Sequence, residues 1–209
     1  MKKKTLLLVA ILALVSTIVF AGNLIPFGDM ESGSATSWME EGSTLKYDVG
    51  KGINGSTALL VKNTDTWSGV GVDVTKVIDK TKSYYIECWI KLSTKPKAVV
   101  KGSITLEFRP REIADYGEDW MGYYYLTPGI DFDYEAKEVT GSDIPVNPNE
   151  WVKISGVVRP EDMETPVDSQ GIEITSPITG ITCYFKIDPA KGMKYWVDNV
   201  IIEEIPNIE

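Results

Sequence analysis

Nearly every apolar stretch of this chain alternates apolar and polar side chains at period two, and no other feature constrains the fold as strongly. Side chains of a strand point alternately to opposite faces, so such a stretch becomes a strand with one face buried. In Tyr84 to Ile90, the set Tyr84, Ile86, Cys88 and Ile90 reads as core, with Tyr85, Glu87 and Trp89 opposite. In the same way Ile104, Leu106 and Phe108 oppose Thr105, Glu107 and Arg109. Placing Trp89 in the core instead requires a register shifted by one residue.

This pattern predicts strands over Thr44–Val49, Ala58–Lys62, Val70–Val74, Tyr84–Leu92, Ser103–Arg109, Tyr123–Leu126, Ile130–Val139, Trp151–Val158, Gly171–Thr175, Ile181–Ile187 and Tyr195–Ile205. Turn signals such as Asn54-Gly55, Pro128-Gly129 and Asn147-Pro148-Asn149 separate them. Little room is left for helix. The expectation is an all-β chain in which about ten strands divide into two antiparallel sheets packed as a β-sandwich.

The N-terminus reads differently. Lys2, Lys3 and Lys4 precede an apolar run from Thr5 to Phe20, and small residues stand at Val19 and Ala21, a pattern of export followed by cleavage. Residues 1–21 are therefore expected to be a signal peptide and residues 22–209 one domain, secreted or held in the cell envelope. No membrane association is expected after cleavage. Cys88 and Cys183 fall in alternating strand patterns with no CxxC pairing, leaving either two buried thiols or one disulfide.

Composition narrows function. The chain has no histidine, which closes the Ser-His-Asp and Cys-His routes to catalysis and excludes His-ligated zinc. Its net charge is −9, and cleavage would remove three lysines. Nucleic acid and anionic lipid are poor partners for such a chain, and neutral polysaccharides are easier ligands than anionic ones.

Several segments, in order, resemble the family 4/9/22 type of carbohydrate-binding module. The opening Asn23-Leu24-Ile25-Pro26-Phe27-Gly28-Asp29-Met30-Glu31-Ser32-Gly33, followed by Trp38, is similar to the start of that family. Gly55 to Val61, then Thr66-Trp67-Ser68-Gly69 and Asp73-Val74-Thr75, match its next block. Tyr84 to Lys91, Glu150 to Gly156 and Tyr195 to Val200 resemble three further strands. The segment from Arg109 to Asp143, with Tyr123-Tyr124-Tyr125, matches nothing in the family pattern.

The resemblance implies a jelly-roll sandwich that binds polysaccharide without catalysis, and a structural calcium joining the first segment to the last strand. Glu31 and Asp198 match the calcium positions, with a carbonyl near Lys51 as a third donor. Trp67 matches the ring that stacks on sugar, although packing is the alternative for it. From alternation and chemistry, Tyr85, Glu87 and Trp89 with Glu107 and Arg109 are expected to share an outer face, with Trp120 and Tyr124 as further platforms. Trp38, Trp151 and Trp196 are assigned to packing. The ligand expected is a neutral, soluble β-linked polysaccharide of xylan or β-glucan kind. Two other readings remain: a cell-surface structural or adhesion protein that self-associates or attaches to the envelope, and a sandwich-fold hydrolase built on Glu87 with Glu107.

Overall fold

The computed structural model describes residues 22–66, 68–97, 99–110, 124–126, 131–132, 139–140, 144–148, 150–163 and 178–207. Its strands are β1 (Met39–Glu41), β2 (Ser43–Asp48), β3 (Ala58–Asn63), β4 (Gly69–Asp73), β5 (Ser83–Leu92), β6 (Val100–Pro110), β7 (Tyr124–Leu126), β8 (Asp131–Phe132), β9 (Val139–Thr140), β10 (Ile144–Val146), β11 (Val152–Val158), β12 (Ile178–Asp188) and β13 (Lys194–Ile205). Helix among the described residues is confined to three short 3-10 turns: Ala35–Ser37, Ile53–Gly55 and Pro160–Met163.

The strands form two antiparallel sheets. One, sheet A, runs β1-β4-β12-β6-β10, with β7 also paired to β6; the other, sheet B, runs β11-β5-β13-β3-β2. The strongest alternators of the sequence, β5, β6, β12 and β13, occupy inner positions, where both edges are paired. Among the described residues β8 and β9 pair with each other, and most of the strand expected over Ile130–Val139 lies outside the described residues. The strand expected over Gly171–Thr175 lies outside the described residues.

The core fills the space between the sheets. From sheet B come Tyr84, Ile86, Cys88, Ile90, Leu92, Tyr195, Val197 and Ile202; from sheet A come Ile104, Leu106, Phe108, Ile181, Phe185 and Ile187. Each large apolar side chain so buried contributes about 1.5–3 kcal/mol of transfer free energy. Trp38 closes one end, edge-on to Phe27 at 5.3 Å and to Phe185 at 6.2 Å, in the packing role expected of it. Cys88 and Cys183 are free thiols within this core, and burial pushes both pKa values up.

The two sheet identities correct one expectation. Strand β5 belongs to sheet B and β6 to sheet A, and the polar phase of each points away from the core. Tyr85, Glu87 and Trp89 therefore share no face with Glu107 and Arg109. Alternation tells which side chains lie together on one strand, but not which sheet that strand joins.

Candidate functional site

The outward face of sheet A is polar. Strand β12 sends Thr182, Tyr184 and Lys186 to that side, in alternation with the core residues Cys183 and Phe185. Its neighbours bring small or polar groups into line. Lys186 lies opposite Gly69 and Ser103, Tyr184 opposite Gly71 and Thr105, and Thr182 opposite Asp73 and Glu107. The edge strand β1 adds Glu41 beside Gly69.

Gly69 and Gly71 make this arrangement fit. A Cβ on Gly71 would stand 2.6 Å from the Tyr184 ring, and one on Gly69 would stand 2.7 Å from Lys186 Cγ. The side chains of β12 thus lie directly across the bare backbone of β4. Lys186 Nζ sits 4.3 Å from the centroid of Tyr184 and 3.0 Å from Glu41 Oε2. Although these residues face away from the core, Glu107 is 0 % exposed, Tyr184 1 % and Thr182 3 %. A solvated sheet face does not bury a carboxylate this completely.

The outward face of sheet B carries the other half of the expected set. Glu87 Oε1 accepts a hydrogen bond from Trp89 Nε1 at 2.8 Å, and Glu87 Oε2 accepts one from the Tyr85 hydroxyl. Lys153 of β11 completes the cluster, with Nζ 3.5 Å from Glu87 Oε2. Burial raises the Tyr85 pKa, and the neighbouring carboxylate adds to the effect. For Lys153, burial pulls downward, but the Glu87 charge and Tyr85 outweigh it and the pKa is raised. The rings of Tyr85 and Trp89 remain half-buried, open on one side.

The hydrolase reading needs Glu87 and Glu107 as partners, and the fold separates them. Stacked sheets stand about 10 Å apart, and each carboxylate points outward from its own sheet. Paired glycosidase carboxylates stand about 5–9.5 Å apart across a substrate.

Glu31 and Asp198 do come together, on either side of the 53–57 segment. Asp198 Oδ2 accepts hydrogen bonds from Ile53 N at 2.8 Å and Ser56 Oγ at 3.1 Å, and Glu31 Oε1 accepts one from Thr57 N at 2.5 Å. Burial raises the Asp198 pKa, three hydrogen bonds oppose it, and the Glu31 charge raises it further. A Cβ at Gly52 would come within 2.6 Å of Asp198 Oδ2 and 2.5 Å of the Thr57 carbonyl, so glycine is what lets these oxygens converge. Two carboxylates and a carbonyl form a hard-oxygen donor set suited to calcium. Among the described residues no group of three or more His, Cys, Asp or Glu side chains could hold a metal, so an ion at this cluster would need backbone oxygens as well. Lys51 is exposed at the adjoining turn.

Trp67 and Trp120 lie outside the described residues, as do the side chains of Arg109 and Tyr124. By backbone register, Arg109 is opposite Gly180 and Tyr124 opposite Phe108, both within sheet A. Sequence reasoning passed over Tyr184, Lys186 and Glu41. The signal was present in β12, where Thr182, Tyr184 and Lys186 occupy the polar phase, but its meaning depends on pairing with two glycines far away in sequence. Trp196, assigned to packing, is half-buried on the outward face of sheet B, with Nε1 donating to Asp48 Oδ2 at 3.0 Å.

Residues 22–120 match a family model described as a carbohydrate binding domain. No curated protein matches the chain in sequence. Among solved structures, the CBM22-1 xylan-binding domain of Xyn10C from Paenibacillus barcinonensis is similar at a TM-score of 0.59 and 17% identity, covering 87% of this chain and 94% of that one. A xylan-binding domain from carbohydrate-binding module family 22 gives 0.57 and 17%, covering 90% of this chain and 98% of the other. A putative sugar binding protein from Bacteroides thetaiotaomicron gives 0.56 and 11%, covering 88% and 100%. At these identities the structures establish the shared sandwich. The resemblance of this chain to carbohydrate-binding modules of the family 4/9/22 type is thus borne out by sequence over residues 22–120, and the sandwich it implies by fold over most of the chain.

Proposed function

We propose that the protein binds a neutral, soluble β-linked polysaccharide of the xylan or β-glucan kind without catalysis, in a groove over the outward face of sheet A. The observation that carries this reading is the polar cluster on the side of sheet A away from the core, where Glu41, Glu107, Thr182, Tyr184 and Lys186 are gathered over a two-glycine strip and Lys186 and Glu41 keep partial exposure. Hydroxyl-rich ligands need fixed donors and acceptors at such a cluster, with flat rings at its edge to cover the CH faces of the sugars. Trp67 stands two residues before Gly69, where β4 enters this sheet, and is the ring assigned to stacking. The xylan-binding domains that share the fold support the choice of ligand.

In the same reading calcium occupies the Glu31 and Asp198 cluster and ties the first segment to β13 away from the sugar groove. Its role there is structural.

Calorimetric titration with soluble xylan and mixed-linkage β-glucan tests the ligand. Trp67→Ala is expected to lose at least ~2 kcal/mol of affinity, some thirtyfold, with the melting temperature nearly unchanged. Unfolding of the variant, or affinity equal to wild type for each glycan that the wild type binds, would refute the stacking role.

A further inference from the structure

The net charge of −9 conceals a basic face. On the outward side of sheet B, Lys46 of β2 lies opposite Leu60 of β3, Leu60 opposite Trp196 of β13, and Trp196 opposite Lys91 of β5. One row further along, Lys62 of β3 and Lys194 of β13 are direct cross-strand partners. With strands about 4.8 Å apart, four ammonium-bearing side chains share a patch about 15 Å across. Lys153 adds a fifth at the β11 edge, already paired with Glu87.

Two observations set this patch apart from scattered surface lysines. Like charges directly opposite on neighbouring strands destabilise a sheet, yet Lys62 and Lys194 face one another, both exposed. The acids beside the group, Asp48 and Asp198, are outnumbered by its four lysines. Asp48 accepts a hydrogen bond from Trp196 Nε1, and Asp198, buried, accepts from the 53–57 turn. The lysines are also interleaved with rings. Trp196 lies between Lys46 and Lys91 in the row, and Lys91 Nζ stands 6.0 Å from the Trp151 ring.

We infer that this face is a second binding surface, for a polysaccharide that carries carboxylates, such as a uronic acid polymer. The inference rests on the carbohydrate-binding reading for its class of ligand but uses a different face from the neutral-glycan groove. The ammonium groups would pair with the carboxylates, relieving the repulsion between Lys62 and Lys194, while Trp196 and Trp151 cover sugar faces. An anionic membrane fits less well, because Trp196 is half-buried and held by Asp48 rather than projecting for insertion.

Affinity electrophoresis in gels containing polygalacturonate, with neutral xylan gels run in parallel, tests the proposal. Wild type should be retarded by polygalacturonate, and 0.2 M salt should weaken that retardation about tenfold. The double variant K62Q/K194Q should lose a similar factor while melting no lower than wild type, and its xylan retardation should be unchanged. Absence of retardation by polygalacturonate, retention of it in the double variant, or equal binding to poly-L-glutamate or phosphatidylserine vesicles overturns the inference. Loss of xylan binding by the wild type, with polygalacturonate binding intact, would instead count against the neutral-glycan reading alone.

Discussion

The two outward faces of the sandwich solve the same problem in opposite ways. Each must end a sheet whose other side is core, and each does so with aromatic and charged residues. On sheet A these residues sink: Tyr184 lies over Gly71, Lys186 over Gly69, and Glu107 has no exposure at all. On sheet B they stay at the surface, where Tyr85, Trp89, Trp151 and Trp196 are half-buried and the lysines stand between them. Glycine makes the difference. Strand β4 has two outward glycines, whereas the outward positions of β3 and β5 carry Leu60, Lys62, Tyr85, Glu87, Trp89 and Lys91.

The comparison breaks most sharply at Gly71. Gly71→Leu would drive a side chain into the Tyr184 ring and into Thr182 Cγ2, at 2.6 and 2.9 Å from the first added carbon. A cost of about 3 kcal/mol in stability is expected, together with loss of neutral-glycan binding and no loss at the lysine face. Denaturant unfolding and titration on the same sample report both effects. Trp89→Ala on the other face is expected to cost less, about 2 kcal/mol, through the lost half-buried ring and its hydrogen bond to Glu87. Its affinity for xylan should equal that of wild type, and a loss there would place the sugar on sheet B.

Calcium should have the smallest effect, and should leave the contrast between the faces intact. At ten times its dissociation constant, an ion bound only by the native state stabilises it by about 1.4 kcal/mol. Melting curves with calcium and with chelator should differ by that amount in wild type and coincide in Glu31→Ala. Folding raises the Asp198 pKa, so in chelator its burial penalty is present above the raised value and lifts as pH falls toward 3.8. Protons compete with calcium for the same carboxylate, so the calcium effect should shrink on acidification.

Much of this architecture was legible before any coordinates. Period-two alternation located β5, β6, β12 and β13 to within a few residues, and it separated Glu87 from Ile86 and Glu107 from Leu106 correctly. The short edge strands β1 and β10 escaped because three residues are too few to show a period, and Pro145 interrupts the second. Sheet membership was not legible. A strand's own pattern is the same whichever sheet it joins, and the pairing of β6 with β12 instead of β5 depends on contacts distant in sequence. That single ambiguity merged two faces into one expected site. It also hid Tyr184 and Lys186, whose placement depends on Gly69 and Gly71 more than 100 residues earlier.

Titration of isotopically labelled protein with xylohexaose, followed by backbone amide shifts, tests most directly whether the neutral glycan lies on sheet A. The account predicts the largest changes in Gly69–Asp73 and Thr182–Lys186, with Tyr85–Lys91 and Lys153–Val157 unmoved. Changes concentrated in β5 and β11, with β4 and β12 silent, would contradict it.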